Sequence, residues 1–277
     1  MPTIVDGKAI AQKIQKELKQ TLDTFASVLS FHIIYVGSDP VIDNFITYKK
    51  EFGEEIGVHV VVHRFPEDIA EETLIKNITD ISTQADGVIV QLPLPAHLGR
   101  TSILDAVPPH KDIDVLGSSS RELFSRGITD VFPPVTGAIV EIFNHHHINL
   151  LDKDILLVGN GTLVGYPMAL WLEREGYNYN IIDHTTDDRD RNEYLKGADV
   201  IISGAGQPHM ITPDRIKENV ILIDAGTSEA GKKIIGDIHP DCREKASLIT
   251  PVPGGIGPMT IALLYRNLVT LYTQKHD

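Results

Sequence analysis

Lys49 interrupts an apolar stripe on a predicted helix over residues 41–56. The side chains of this stripe recur at spacings of three and four residues, and they are Ile42, Phe45, Lys49, Phe52 and Ile56. Side chains at these spacings share one face of a helix. Either the Lys49 ammonium extends past the apolar carbons to water, or the helix borders a cleft in which burial and the charge of Lys50 lower the pKa of Lys49. In the second case Lys49 would transfer protons.

Gln91 is the only polar side chain of a strand predicted over residues 87–92, and a stiff Pro-Leu-Pro segment begins at Pro93. Ligands of parallel α/β sheets bind beyond the carboxyl ends of the strands, so Gln91 is expected in a binding site. The alternative is a buried glutamine that is bonded only to backbone. Asp112 and Asp114 follow in a loop, where they are either site residues or ordinary acids that hydrogen-bond their own turn.

A glycine-rich loop follows a second apolar strand, predicted over residues 155–158. Its glycines, Gly159, Gly161 and Gly165, have the spacing G-x-G-x-x-x-G, one residue longer than the usual dinucleotide fingerprint. Such a loop places backbone N–H groups and a helix N-terminus against a phosphate. The next strand ends at Asp183, 24 residues after Gly159, where a carboxylate accepts hydrogen bonds from ribose hydroxyls. The pattern predicts a nucleotide site, and its alternative is a ligand-free scaffold of the same fold.

The segment 249–260 contains six Gly or Pro residues among twelve and leads directly into an apolar helical pattern. Its prolines fix φ and its glycines permit close backbone approach, so the loop would press N–H groups against a flat or anionic ligand. The alternative is a rigid turn that only caps the helix expected from Pro258.

The composition limits the function classes. Cys242 is the only cysteine, which excludes internal disulfides and cysteine-based metal sites within one chain. A net charge of −13 argues against a nucleic-acid partner. A membrane span or a secretory leader is not predicted, so a cytoplasmic location is expected. Three consecutive histidines, His145 to His147, cannot all face one ion on a helix, and a solvated helix end is predicted there rather than a metal site.

The elements that carry these residues alternate between helices and short apolar strands. This alternation predicts an α/β fold with parallel sheets in two domains, at residues 1–140 and 141–260. The second domain is expected to be a Rossmann-type, doubly wound parallel sheet. Its predicted strands cover residues 155–158, 179–183, 200–203 and 220–224, and Gly204 and Gly206 end the third of them.

Four segments together resemble the bifunctional methylenetetrahydrofolate dehydrogenase/methenyltetrahydrofolate cyclohydrolase family. They are Gln91-Leu92-Pro93-Leu94-Pro95, Lys111-Asp112-Ile113-Asp114, residues 159–168 and residues 250–260. The resemblance extends from Val5 to about Asn267. It implies a folate substrate in a cleft between the two domains, a nicotinamide cofactor, a final helix (261–277) that packs back on the first domain, and a homodimer.

By this resemblance Lys49 is the catalytic lysine, Gln91 holds it in place and Asp114 binds the pterin. One carboxylate can accept the paired N–H donors of an aminopyrimidinone edge, which makes the role of Asp114 chemically sound. The implied substrate contacts are Phe45, Leu92, Pro93, Val252, Pro253, Gly254 and Gly255. The implied cofactor contacts are Gly159, Asn160, Gly161, Val164, Gly165, Asp183, Thr185, Gly204, Gly206 and Thr227.

The chain departs from the family pattern at several positions. Phe45 replaces the tyrosine of the Tyr-x-x-x-Lys motif, and Tyr48 lies roughly 300° around the helix from it. Val115 replaces the glycine after the pterin-binding aspartate, and residues 133–136 read Pro-Pro-Val-Thr instead of Pro-Cys-Thr-Pro. These changes put substrate detail and the balance of the activities in question.

The cofactor positions also differ from the family pattern. Asn160 and Thr185 stand where family members that use NADP have an arginine and a serine, and Asp183 would oppose a 2′-phosphate. NAD is therefore expected, with NADP as the lesser choice. If Asp183 instead turns away to cap the following turn, the cofactor choice is nearly neutral.

The expected function is NAD-linked oxidation of 5,10-methylenetetrahydrofolate, followed by hydrolysis to 10-formyltetrahydrofolate in one-carbon metabolism. One alternative is a divergent paralogue with only one of the two activities or a modified pterin substrate. Another is a catalytically silent protein that binds folate or nucleotide. Lys49, Gln91 and Asp114 together favour an enzyme, whereas Phe45 is the main argument for a silent protein.

Overall fold

The computed structural model describes residues 2–230 and 233–276, which form two compact units. The first, the six-stranded unit, contains the N-terminal segment up to Ala11 together with residues 135–260. The second, the three-stranded unit, contains residues 12–134 and the segment from Ile261 onward. The predicted domain 1–140 therefore differs from the observed division at its N-terminus, because the first strand pairs within the sheet of the six-stranded unit.

The described helices and strands alternate along most of the chain. In chain order they are β1 (Thr3–Ile4), α1 (Gly7–Leu22), β2 (Ser30–Val36), α2 (Pro40–Ile56), β3 (His59–Phe65), α3 (Glu71–Ser82), β4 (Gly87–Val90), α4 (Arg100–Asp105), α5 (Ser118–Ser125), α6 (Pro134–His145), β5 (Ile155–Val158), α7 (Gly165–Arg174), β6 (Tyr179–Ile182), α8 (Asp188–Gly197), β7 (Val200–Ser203), β8 (Val220–Asp224), β9 (Ser228–Ala230), β10 (Lys233–Ile235), β11 (Ala246–Ile249) and α9 (Ile256–His276). Two short 3₁₀ helices, Pro213–Arg215 and Pro240–Glu244, interrupt the second half.

The three-stranded unit contains a parallel sheet in the order β3-β2-β4. Ile34 of β2 and Val88 and Val90 of β4 pack with Leu74 and Ile78 of α3 in one core. Burial along the whole of β4 explains why this strand reads as a continuous apolar run, whereas the edge strand β3 is partly exposed and contains His59, His63 and Arg64. Strand β4 ends at Val90, two residues before the predicted end, although the backbone N–H of Gln91 still donates to the Ile34 carbonyl at 2.8 Å.

Helix α2 has strong signals at both ends. The Asp39 side chain accepts hydrogen bonds from the backbone N–H groups of Val41 and Ile42, and Pro40 occupies the first turn. Gly57 ends the helix in the left-handed conformation, with φ of 88°. The helix therefore begins and ends at fixed positions and holds Lys49 in its third turn.

The six-stranded unit contains a parallel sheet in the order β1-β11-β8-β7-β5-β6. Strand β5 has β6 on one side and β7 on the other, so the direction of winding reverses there. Open α/β sheets bind ligands at such a switch point, beyond the carboxyl ends of the strands. This topology confirms the predicted doubly wound parallel sheet. The short strands β9 and β10 pair antiparallel outside it.

None of the helices within the described residues combines the length and the apolar character that a bilayer crossing requires.

Candidate active site and nucleotide site

Lys49 and Gln91 form a direct hydrogen bond. The Lys49 ammonium donates to the Gln91 side-chain oxygen at 2.8 Å, and the Gln91 amide nitrogen donates to the Leu92 carbonyl at 2.8 Å. The second bond orients the amide so that its oxygen faces the lysine. The geometry agrees with the implied role of Gln91 in holding Lys49.

The electrostatic environment of Lys49 is set by burial and by one carboxylate. Burial lowers the pKa of Lys49, and the negative charge of Asp114 opposes this shift. Lys50, which sequence reasoning named as a cause, instead lies 3.7 Å from the Glu54 carboxylate on the exposed side of α2. Lys49 is thus held less basic than a free lysine and beside a proton-accepting group, as acid–base chemistry requires.

Asp114 has a strongly perturbed carboxyl group. Burial raises the pKa of Asp114 to about 7, the Lys49 ammonium lowers it, and the neighbouring Asp112 raises it. Since Lys49 and Asp114 each shift the pKa of the other, their protons titrate as a coupled pair. The Asp114 carboxyl group therefore changes protonation state near neutral pH.

Asp112 serves its own turn, as its alternative interpretation proposed. The buried Asp112 carboxylate accepts the backbone N–H groups of Asp114 at 3.2 Å and Gly117 at 2.9 Å. The residue after Asp114 is Val115, which is buried and has a φ of 55°. A β-branched side chain is rare in this region, so the turn carries backbone strain at the position where the family has glycine.

Two side chains of helix α9 donate hydrogen bonds to backbone carbonyls at Lys49 and next to Asp114. The Tyr265 hydroxyl donates to the Lys49 carbonyl at 2.6 Å, and its ring stacks on Phe52 with centroids 5.2 Å apart. A Cβ at position 53 would collide with this hydroxyl, so the close contact requires Gly53. The Asn267 amide donates to the carbonyls of Ile113 at 2.8 Å and Phe132 at 2.7 Å.

These two contacts were missed at the sequence level. The only signal in the sequence was the presence of Tyr265 and Asn267 within the apolar pattern of the last helix. This signal did not show which groups they contact.

The predicted substrate contacts of the three-stranded unit adjoin the two hydrogen-bonded residues in the sequence, Phe45 near Lys49 and Leu92–Pro93 directly after Gln91. Phe45 precedes Lys49 by one turn of α2 and is 39% exposed, whereas Tyr48 is 57% exposed. A large aromatic side chain that remains this exposed is available to a ligand. Leu92 packs partly against the core, and the Leu92–Pro93 peptide bond is cis.

The Gly/Pro segment forms a loop of the six-stranded unit that is closed by a backbone hydrogen bond. The Gly255 N–H donates to the Pro251 carbonyl at 2.8 Å, Gly254 has a φ of 108°, and the Val252–Pro253 bond is cis. The helix after it begins at Ile256, two residues before the expected Pro258. This conformation is compatible with both interpretations of the segment, so contact between the loop and a ligand stays a prediction.

A cavity of about 440 Å³ lies at the carboxyl ends of β5, β6 and β7. The residues that line it are Val158, Gly159, Asn160, Gly161, Ile182, Asp183, His184, Arg191, Gly204, Ala205, Gln207 and Met210. Gly159 has a φ of 91°, and a Cβ at Gly165 would collide with the Gly159 carbonyl. Glycine is therefore required at both positions for the loop to turn and for α7 to pack on the strand.

Five of the predicted cofactor residues line this cavity, namely Gly159, Asn160, Gly161, Asp183 and Gly204. The others, Val164, Gly165, Thr185, Gly206 and Thr227, are not part of the lining. Val164 and Gly165 shape the loop instead, because the Val164 side chain packs where a Cβ of Gly204 would lie. Thr227 is exposed in the loop after β8.

The Asp183 carboxylate is bound to its own turn. One of its oxygens accepts the Thr185 backbone N–H at 2.8 Å and the Thr185 hydroxyl at 2.6 Å, and these bonds lower the pKa of Asp183. This is the contact that the alternative interpretation predicted. Asp183 is nevertheless one of the residues that line the cavity, so its negative charge stays close to it.

Arg191 is a cavity residue that sequence reasoning missed. Its guanidinium donates to the carbonyls of Asp183 at 3.2 Å and Thr186 at 3.0 Å, and it lies 3.1 Å from the Asp188 carboxylate. Arg191 lies on α8, eight residues after Asp183. The sequence did not indicate its contact with the Asp183 turn, because that contact depends on how α8 packs.

The three histidines lie at the end of α6, which finishes at His145, and His147 has a φ of 54°. Residues 2–230 and 233–276 contain no cluster of three or more His, Cys, Asp or Glu side chains that could hold a metal ion.

The six-stranded unit has a doubly wound parallel sheet with a glycine-lined cavity at its switch point, and the other α/β unit contains a hydrogen-bonded lysine. These features are typical of two-domain enzymes that bind a dinucleotide. The sequence matches the family model "Tetrahydrofolate dehydrogenase/cyclohydrolase, catalytic domain" over residues 5–114. It matches the corresponding "NAD(P)-binding domain" over residues 133–276. The chain belongs to the tetrahydrofolate dehydrogenase/cyclohydrolase family.

Individual relatives agree along the whole chain. The "Bifunctional protein FolD" of Nautilia profundicola is 38% identical over 276 residues, which is 96% of each chain. The bifunctional FolD structure from Campylobacter jejuni has a TM-score of 0.94 and 32% identity, and the match covers 99% of this chain and 100% of that one. The FolD structure from Trypanosoma brucei, complexed with NADP cofactor and inhibitor, has a TM-score of 0.94 and 25% identity and covers 100% and 99%.

Membership confirms the family that the sequence motifs indicated. The chain is a bifunctional methylenetetrahydrofolate dehydrogenase/cyclohydrolase, with a folate substrate and a nicotinamide cofactor.

Proposed function

We propose that the chain oxidises 5,10-methylenetetrahydrofolate with NAD and hydrolyses the methenyl product to 10-formyltetrahydrofolate, with Lys49, Gln91 and Asp114 as its catalytic residues. The observation that carries this assignment is the 2.8 Å hydrogen bond from Lys49 to Gln91, with Asp114 as the carboxylate that shifts the pKa of that lysine. A silent binding protein would not need a lysine of lowered pKa held by a glutamine.

In the oxidation, the bridging carbon of the folate loses a hydride, for which a bound nicotinamide cofactor would supply the acceptor. The protein contributes mainly by positioning the folate. Asp114 in its ionised form would accept the paired N–H donors of the pterin, while Phe45, Leu92 and Pro93 would provide apolar contact. The loop from Val252 to Gly255 is proposed to flank the substrate as well.

In the hydrolysis, water adds to the methenyl carbon and a carbon–nitrogen bond of the adduct breaks. The step needs a proton removed from water and a proton delivered to the leaving nitrogen. A lysine of lowered pKa can do both in turn, since it exchanges its proton more readily than a free lysine. Gln91 keeps the ammonium in one position during this exchange.

We propose NAD as the preferred cofactor. Three features support this choice: Asp183 brings a negative charge to the cavity, Asn160 supplies no cation, and Thr185 is engaged with Asp183. Arg191 works in the opposite direction, but its guanidinium is already shared among two carbonyls and Asp188. A 2′-phosphate would meet the Asp183 carboxylate, and Arg191 would compensate this repulsion only in part while it is engaged by those three groups.

The proposal is tested by mixing the protein with methylenetetrahydrofolate and NAD and following both NADH and the formyl product. NADH without faster formyl release would leave only the dehydrogenase, and absence of both would reduce the chain to a binding protein. A homodimer and a cytoplasmic location stay predictions, and light scattering tests the first.

A further inference from the structure

Asp237 holds the loop that follows β7. One oxygen of its fully buried carboxylate accepts the Ser203 hydroxyl at 2.7 Å and the Ala205 N–H at 2.8 Å. The same oxygen lies 3.3 Å from the Gly206 N–H, and the other accepts the Gln207 N–H at 2.8 Å. One carboxylate therefore binds consecutive backbone donors of this loop.

The loop that Asp237 holds is one wall of the nucleotide cavity. Gly204, Ala205 and Gln207 line the cavity, and they follow β7 at the switch point of the sheet. The backbone N–H groups of Ala205, Gly206 and Gln207 donate to Asp237, so these donors are turned toward the protein interior. The backbone path of the wall is consequently fixed by a side chain that does not line the cavity itself.

A second carboxylate fixes the position of Asp237. Asp224 accepts the backbone N–H groups of Asp237 at 3.1 Å and Ile238 at 2.9 Å. Two glycines permit the close packing: a Cβ at Gly226 would collide with the Asp237 carboxylate, and one at Gly236 with that of Asp224. Burial, with a smaller effect from Asp237, raises the pKa of Asp224 to about 6.

Two neighbouring buried carboxylates are unfavourable for stability alone, because each is desolvated and each repels the other. Their arrangement is explained if the hydrogen-bonding capacity of Asp237 serves the loop. An ionised carboxylate offers only acceptors, and no neutral side chain of this size can accept bonds from so many donors at once.

We infer that Asp237 is a positioning residue for the nicotinamide cofactor, because it fixes the conformation of the 204–207 wall of the cavity. The inference rests on the proposed function of that cavity. Asp237 acts only through the loop, so its loss affects cofactor affinity and spares the hydrolysis step, which needs no hydride acceptor.

The test is Asp237→Asn, which keeps the size of the side chain but directs an amide N–H₂ at backbone donors. The KM for NAD is expected to rise about tenfold or more, since hydrogen bonds to a charged acceptor are among the stronger ones. The kcat at saturating NAD and the hydrolysis rate should stay within about threefold of the wild type. Asp241→Asn, the same change at an exposed carboxylate on the neighbouring 3₁₀ helix, is the matched control and should change neither.

A folded Asp237→Asn protein with the wild-type KM for NAD would overturn the inference, as would an equal loss of both activities. If that variant does not fold, Ser203→Ala removes one donor to the carboxylate, and its KM for NAD should rise about threefold; an unchanged KM would again overturn the inference. A wild-type protein that reduces no NAD would instead count against the proposed function.

Discussion

The Lys49 ammonium and the Gln91 side-chain oxygen, 42 residues apart in the sequence, are joined by a hydrogen bond of 2.8 Å. The lysine comes from the apolar face of α2, and the glutamine follows the end of β4. Two anomalies that looked independent in the sequence are therefore parts of one site. Asp114 completes it electrostatically, since its charge raises the pKa of Lys49 that burial lowers.

Lys49→Met should remove most of the hydrolysis while the protein stays folded. Methionine fills the apolar position, but it cannot transfer a proton, so the rate should fall by about 10² to 10⁴. The measurement is conversion of methenyltetrahydrofolate above its spontaneous background. Lys50→Met, one residue away and solvent-exposed, should keep the wild-type rate, and a Lys49→Met protein with unchanged hydrolysis contradicts the assignment.

Phe45→Tyr should raise at least one of the two activities. Phe45 lies one turn before Lys49 on α2 and is partly exposed, so an added hydroxyl would reach the lysine or the folate without entering the core. Both rates are compared with those of the wild type and of Tyr48→Phe, which removes a hydroxyl from a more exposed position. If Phe45→Tyr lowers both activities in a folded protein, the site is built around phenylalanine.

The pH dependence of kcat/KM for the folate should report Asp114. Because the folded-state pKa of Asp114 is raised to about 7, its carboxyl group is protonated below that pH and accepts fewer N–H donors from a pterin. The ratio kcat/KM for oxidation should therefore fall as the pH drops through 7.

The same experiment on Lys49→Met provides a control. The positive charge of Lys49 lowers the pKa of Asp114, so its removal should move the acid limb to higher pH. A profile that stays flat down to about pH 5.5 in the wild type would show that Asp114 does not bind the pterin as a carboxylate.

Cofactor preference should favour NAD by about 10² in kcat/KM, because like charges at a binding site cost on the order of several kcal/mol. Asp183→Ser should raise kcat/KM for NADP about tenfold or more, since it removes the carboxylate and leaves Arg191 in the cavity wall. This gain should be lost in Asp183→Ser/Arg191→Met. Equal wild-type rates with NAD and NADP would mean that Asp183 does not face the ribose.

Tyr265→Phe should lower the free energy of unfolding by about 1 kcal/mol, the usual net value of a buried hydrogen bond. The hydroxyl donates to the Lys49 carbonyl, and the rest of the ring keeps its contact with Phe52. Urea unfolding measures the difference. Tyr272→Phe, whose hydroxyl meets Ser27 at the surface, should cost less, and equal losses would refute a special role for Tyr265.

The sequence predicted the elements and motifs of this chain well, because their signals are local. Continuous apolar strands, the apolar stripe of α2 and the glycines after β5 each depend on neighbours in the chain. The same holds for Gln91, whose polar side chain stands out at the end of an apolar strand.

Contacts between distant segments were not readable in the same way. The pairing of β1 with β11, the support of Lys49 by Tyr265 and the approach of Arg191 to the Asp183 turn all depend on packing geometry. Asp237 is the clearest case, because its neighbours in the sequence do not reveal that its partners lie about 30 residues earlier. A single sequence contains no signal for such pairs.

The most direct test of the role of Lys49 measures two products in one reaction mixture. Wild-type protein, methylenetetrahydrofolate and NAD should yield NADH and then 10-formyltetrahydrofolate at a rate above spontaneous hydrolysis. Lys49→Met in the same mixture should lose that acceleration of hydrolysis. Formyl release that is equally fast with and without Lys49 would contradict the central claim that this lysine, held by Gln91, performs the proton transfers.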